Sequence, residues 1–289
     1  MASPPSSESS REAPLPIEFP PFHLPNGRIR IPTGLPPRPI FEPVQLDELD
    51  LDDELSSSGA TLDYTLNALR GLATKLLQAG SLTTGIQGPG IHDASSPFPL
   101  LRCTRPPPPH SPPTHVLELQ FTDTGEHYRT PVHGLVWALQ SPLLPQLCRR
   151  FIPPGQGVDD ATSPSNEFLL PLVAIRIPCR PAWPLLHKYL YDGSAAQLLN
   201  SLLATPDALP PRTLSLDAAA PPPDPLQPHL DSLVTRLMRV REVWLDAQAL
   251  ELSDRKVWDT LERAYDVLVS ELQDVCTAVP GATMPDDWR

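Results

Sequence analysis

The side chains of this 289-residue chain that could do chemistry are few and widely spaced. Eight histidines, His23, His92, His110, His115, His127, His133, His187 and His229, are spread along it, most in or beside proline-rich stretches. One nucleophile, base and acid can be drawn together, Ser141 with His133 and Asp123, the components of a hydrolase. Ser141 lacks the G-x-S-x-G elbow that would expose its hydroxyl, and no glycine pair offers an oxyanion hole. His133 then reads as a helix-start residue, and the Ser141/His133 hydrolase stays only as an alternative. Gly85-Ile86-Gln87-Gly88-Pro89-Gly90 has the glycines of a phosphate loop. It fails as one, because no strand leads into it by pattern, no Lys-Ser/Thr closes it, and Pro89 removes an amide that should face the phosphates. Cys103, Cys148, Cys179 and Cys276 lie 45, 31 and 97 residues apart, which is no metal-ligand spacing. They are expected to be reduced, buried thiols. No catalytic, cofactor-binding or metal-ligating residue is therefore assigned, no cofactor is expected, and the chain is expected not to be an enzyme.

What remains is recognition. From Ile40 to Leu55 the chain carries seven acidic residues and no basic one, with Phe41, Leu46, Leu49, Leu51 and Leu55 interleaved. Carboxylates at that spacing keep apolar side chains solvated and available, as in acidic-hydrophobic recognition segments that fold into a partner's groove. These five residues are the candidate partner-binding set. The competing reading is an acidic, solvated linker into a helix. Trp137, Trp183, Trp244 and Trp258 could anchor an interface, but each sits on an apolar helical face, where core packing is the expected role. Arg149, Arg150, Arg236, Arg239 and Arg241 are too sparse for a nucleic-acid patch or an import signal.

The elements that must position these residues are set by proline. It fills 41 of the positions, and since it fixes φ and lacks an amide donor, much of the chain is expected to be linker. The net charge of −12 argues against direct nucleic-acid binding. No apolar run reaches the roughly 20 residues that a bilayer requires, and Met1 to Ser10 lacks the basic and apolar regions of a secretory signal. The expectation is a cytoplasmic or nuclear protein with no membrane partner. Along the chain, 1–60 reads as a disordered Pro-rich and acidic arm, 61–80 as an amphipathic helix stopped by Gly80, and 81–113 as a Pro-rich linker. Residues 114–203 read as a small α+β domain with a loop insertion at 152–167. Within it, Val116 to Phe121 and His127 to Thr130 form a hairpin around Thr122-Asp123-Thr124-Gly125-Glu126. Val132 to Phe151 gives a helix, a corner and a second short helix, Phe168 to Pro178 a third strand, and Arg180 to Leu203 two helices broken at Asp192-Gly193. Residues 204–228 form a second Pro-rich linker. Residues 229–279 read as a helical hairpin with about eight residues between its helices, the second capped by Ser253 and ended by Gly281, and 280–289 as a tail.

The order hairpin, helix pair, strand, helix pair resembles the BTB/POZ domain. In Pro131 to Leu144, His133 and Ser141 stand where the family's "H-x-x-x-L-x-x-x-S-x-x-F" stretch has His and Ser, and Leu144 replaces its usual aromatic. Trp183, Leu186, Tyr189, Leu190, Tyr191, Asp192 and Gly193 resemble its "F-x-x-L-L-x-F-I-Y-T-G" helix, with Asp192 in place of Thr. Across the whole chain, the acidic Pro-rich arm is joined by "P-V-H-x-L-x-x-x-x-Q-S-P-L-L", "L-P-L-V-x-I-x-I-P" and "L-H-x-Y-L-Y". Together they are similar to the clampless-type proteins of basidiomycete fungi, regulators of sexual development. That resemblance implies a regulatory partner of transcription factors rather than a catalyst. The alternative that shares the fold is a homo-oligomerising BTB-like scaffold, a homodimer pairing its exposed apolar faces.

Overall fold

The computed structural model describes residues 19, 22, 30–49, 51, 58–91, 97–104, 111–148, 168–205 and 227–278. It is a mixed α+β architecture in which one five-stranded sheet is backed by helices. Two helices come first, α1 (Leu62–Gly71) and α2 (Ala73–Leu82). Thr61 starts α1 by accepting a hydrogen bond from Tyr64 N at 3.3 Å, which satisfies an otherwise orphan amide of the first turn. The single helix expected over 61–80 is broken at Leu72, whose ψ of 0° leaves the helical range. Gly80 lies inside α2 rather than after it, and the turn closes at Thr83, whose hydroxyl donates to Ala79 O at 2.9 Å.

Two strands, β1 (Ile86–Ile91) and β2 (Leu100–Cys103), follow inside the stretch expected as linker. The hairpin β3 (His115–Phe121) and β4 (His127–Val132) comes next. Its turn is made by Gly125, at φ +70°, with its amide donating to Phe121 O at 2.8 Å; a side chain would be strained there. Helix α3 (Gly134–Ala138) and a 3-10 turn (Pro145–Cys148) precede β5 (Phe168–Ile177). The helix pair α4 (Trp183–Asp192) and α5 (Ala195–Leu203) is divided by Gly193 at φ +60°. The long helices α6 (Gln227–Ala249) and α7 (Arg255–Ala278) form the C-terminal pair.

The sheet order is β1-β2-β5-β3-β4, five strands where the sequence pattern marks three. β5 is the seam: Phe168 to Pro171 pair antiparallel with β2, and Leu172 to Ile177 pair parallel with β3. Strand alternation divides the two faces. Leu117, Leu119 and Phe121 enter the main core, whereas Val116 joins Leu101, Cys103 and Leu170 in a small second core. On that second face Arg129 pairs with Glu118 at 2.8 Å and also donates to Gly88 O at 2.9 Å, linking the edge strands β4 and β1.

In the C-terminal pair, Leu233, Leu237, Val240 and Ala247 of α6 and Val257, Leu261, Ala264 and Leu268 of α7 have no exposed surface. Their spacing of three, four and seven residues places each set on one stripe. At about 1.5–3 kcal/mol for each large apolar side chain removed from water, this stripe and the buried Trp244 dominate the packing. Only Leu250 to Asp254 separate the two helices, fewer than the eight expected. Asp254 rather than Ser253 caps α7, its Oδ1 accepting from Lys256 N at 3.0 Å. Gly281 lies outside the described residues. Among those residues no helix is long and apolar enough to cross a membrane.

Candidate functional site

The residues drawn as a hydrolase do not come together. His133 Nδ1 lies 3.2 Å from Tyr191 Oη, and its Nε2 lies 3.0 Å from Ser111 O. A carbonyl demands a donor, so Nε2 carries the proton and Nδ1 accepts from the tyrosine. Burial also pulls the His133 pKa down. The Ser141 hydroxyl is 1% exposed and donates to Leu250 O at 2.6 Å. Asp123 accepts from Arg180 N at 3.1 Å. Each of the three is occupied by a different neighbour, so serine and histidine, expected as a nucleophile and base, are tie points of the fold. Among the described residues no group of three or more His, Cys, Asp or Glu could hold a metal ion. Cys103 and Cys179 are buried, and Cys148 and Cys276 partly so. Burial pushes the thiols up, to about 11 for Cys103 and about 12 for Cys179.

What Ser141 ties is the junction between the α/β core and the helical pair. Gln140 beside it donates to Val136 O at 2.7 Å and to Leu190 O at 2.8 Å, and its own carbonyl accepts from Ser253 N at 3.2 Å. Asp254, besides capping α7, accepts from Arg70 of α1 at 2.8 Å and from Tyr189 Oη of α4 at 2.9 Å. One carboxylate thus joins three helices. Deeper in the junction, the fully buried Asp246 of α6 accepts from Cys179 N at 2.8 Å, while its second oxygen has no partner. Burial, with Asp123 and Glu242 nearby, raises its pKa to about 9. Asp246 is therefore protonated at neutral pH.

The candidate recognition residues belong to a segment that meets the helical pair at other residues. Phe19, Phe22, 30–49 and 51 form an extended strap with one 3-10 turn at Leu46–Glu48. Of the five candidates, Leu49 is buried, and Phe41, Leu46 and Leu51 are partly buried against the main core. Leu55 lies outside the described residues. The expectation of solvated leucines is corrected here: Glu42 and Asp47 are exposed, while the described apolar members find cover within the chain. Phe41 packs on Trp258 of α7 with ring centroids 6.2 Å apart. Arg38 contacts both Asp259 at 2.5 Å and Glu262 at 3.0 Å. Tyr265 Oη donates to Pro32 O at 2.6 Å. Phe19 meets Trp244 edge-on at 5.5 Å, and Arg241 lies over its ring at 5.4 Å. Ile40, next to the anchored Phe41, is 96% exposed. Sequence reasoning marked Trp244 and Trp258 as core residues but missed that they receive the strap. The signal was slight, a few aromatic residues scattered among prolines.

A polar cleft of about 510 Å³ opens between α2, β4 and α4, bordered by Ser81, Thr83, Arg129, Thr130 and His187. His187 Nε2 is buried without a partner, and burial lowers the pKa of its ring to about 4. Among the described residues no carboxylate or cysteine borders the cleft.

Residues 196–287 match the family model described as the Clampless protein 1 C-terminal domain. The match takes in nearly all of α5 and the whole of α6 and α7, the helices that receive the strap and carry one side of the junction. No curated protein and no solved structure matches the chain.

Proposed function

We propose that this chain is a non-enzymatic, protein-binding regulator of the clampless type, acting in fungal sexual development by binding transcription factors or other regulatory proteins in the cytoplasm or nucleus. The family match over the C-terminal helices supports the type. Support for a BTB/POZ-like core over 114–203 comes from its order of hairpin, short helices, parallel strand and helix pair. The observation that carries the binding role is the strap. An acidic segment with Phe41, Leu46, Leu49 and Leu51 turned inward and Ile40 turned outward is an apolar ligand held by its own chain. A partner with a hydrophobic groove would take the segment in exchange for the face of α7, so affinity is lowered by the cost of opening and rises once the strap is free. The test is co-precipitation of developmental transcription factors with the full chain and with a chain lacking 40–55. Loss of recovery is expected, and unchanged recovery discards the segment as the recognition element.

A further inference from the structure

Seven hydroxyl residues in the chain are followed directly by proline: Ser3, Ser96, Ser111, Thr130, Ser141, Ser163 and Thr205. Four of these are among the described residues, and their surroundings differ. Ser141 is 1% exposed and spent on Leu250 O, and Thr130 is 7% exposed within β4. Ser111 is partly buried, and its carbonyl holds the His133 ring. Thr205 alone of the four is exposed, two residues past the end of α5.

The last turn of α5 is gripped by two arginines of α6. Arg236 donates to Leu203 O at 3.2 Å, and Arg239 donates to Ser201 O at 3.1 Å. Arg236 is 8% exposed in its side chain, shares a 3.2 Å contact with Glu271, and keeps its Nε buried without a hydrogen-bond partner. Two guanidinium groups, one with an unused donor, thus sit against the carbonyls just before the exposed Thr205, which Pro206 follows in the sequence. The nearby carboxylates are Glu271 on Arg236 and Glu242, which interacts with Arg239.

We propose that Thr205 is a site of phosphorylation by a proline-directed protein kinase, and that Arg236 and Arg239 bind the phosphate. The Thr205 hydroxyl oxygen would attack the γ-phosphorus of ATP. A new oxygen–phosphorus bond forms as the bond to ADP breaks, and the hydroxyl proton passes to the kinase base. The product carries about −1.5 to −2 charges and three acceptor oxygens, which suit the forked donors of arginine better than a single carbonyl does. Glu271 and Glu242 oppose it, so the phosphate must take over contacts those carboxylates now share. Bound there, it would fasten the end of the α/β core to the first helix of the C-terminal pair. A phosphate free in solvent would do neither.

The experiment treats the full chain with a proline-directed kinase and ATP, maps phosphate by mass spectrometry, and follows the phosphothreonine by ³¹P NMR against pH. The expected result is phosphate at Thr205, absent from Thr205→Ala, with no modification of Ser141 or Thr130 in the folded chain. The Thr205 phosphate should titrate about one unit below the pKa near 6 of a free phosphothreonine. Arg239→Gln, which spares the more buried Arg236, should move that titration back up. A folded chain left unmodified at Thr205 would overturn the site. A phosphate at Thr205 that titrates as in an isolated peptide, or is indifferent to Arg239→Gln, would overturn the arginine contacts.

Discussion

The helical pair α6/α7 is bound on two sides, and the two bonds are built differently. Toward the α/β core it is joined by a largely buried polar network, part-buried at Asp254 with Arg70 and Tyr189 and buried at Ser141 with Leu250 O and Asp246 with the Cys179 amide. Toward the strap it offers aromatic faces and exposed acids: Trp258 under Phe41, Trp244 under Phe19, and Asp259 and Glu262, about half exposed, under Arg38. A buried polar network strands several charged or dipolar groups if it opens, each at a cost, so it opens with the whole fold. An extended segment held by a few rings, a surface ion pair and the Tyr265–Pro32 hydrogen bond leaves behind mainly apolar surface and solvated charges. It opens alone, and regions that exchange partners come from this weaker end. Permanent docking on one side and releasable docking on the other is the arrangement a regulator needs.

The largest blow to this contrast would come at Asp254. Asp254→Ala removes one carboxylate from three helices and should cost about 1.5–3 kcal/mol, read as a fall in the denaturant midpoint of the whole chain. A loss under about 1 kcal/mol, the size of a surface pair, would make the junction no stronger than the strap.

A smaller effect, of opposite sign, belongs to Asp246. Its folded pKa of about 9 stands above the ordinary 3.8, so between those values the folded chain holds a proton that the unfolded chain has lost. Stability therefore declines as pH rises through that window, by up to about 1.4 kcal/mol per unit. Asp246→Asn keeps the acceptor for the Cys179 amide and should flatten the decline, making the variant more stable than the parent. Urea unfolding of parent and variant compared over about pH 7 to 8.5 isolates it, because the buried histidines and the Cys103 and Cys179 thiols contribute alike to both chains. An unchanged slope would mean that the junction is open to water.

Much of the core was legible in the sequence for local reasons. The hairpin announced itself by alternation around Gly125, the strand Phe168 to Ile177 by its β-branched run, and α4 and α5 by apolar spacing on either side of Gly193. β1 and β2 were not legible. Ile86 to Ile91 contains Gly88, Pro89 and Gly90, residues a strand tolerates at an edge, and four-residue β2 owes its state to pairing with the distant Leu170 and Pro171. The five candidate recognition residues stand in the sequence as an apolar set among acids. That four of them would be covered by the chain's own core could not be read, because burial depends on distant partners, as Phe41 does on Trp258 some 200 residues away. Ser141 shows the converse: its residue type and its spacing from His133 hinted at chemistry, and its position at the junction gives it to Leu250 O instead.

The most direct measurement is thiol labelling of a Leu49→Cys chain under increasing denaturant, comparing the new thiol in the strap with the native Cys179 at the junction. The account predicts that position 49 reacts through a small opening with a shallow denaturant dependence, while Cys179 reacts only with the full dependence of global unfolding. Labelling of both thiols with one opening energy and one slope would contradict it, since strap and junction would then open as a single unit.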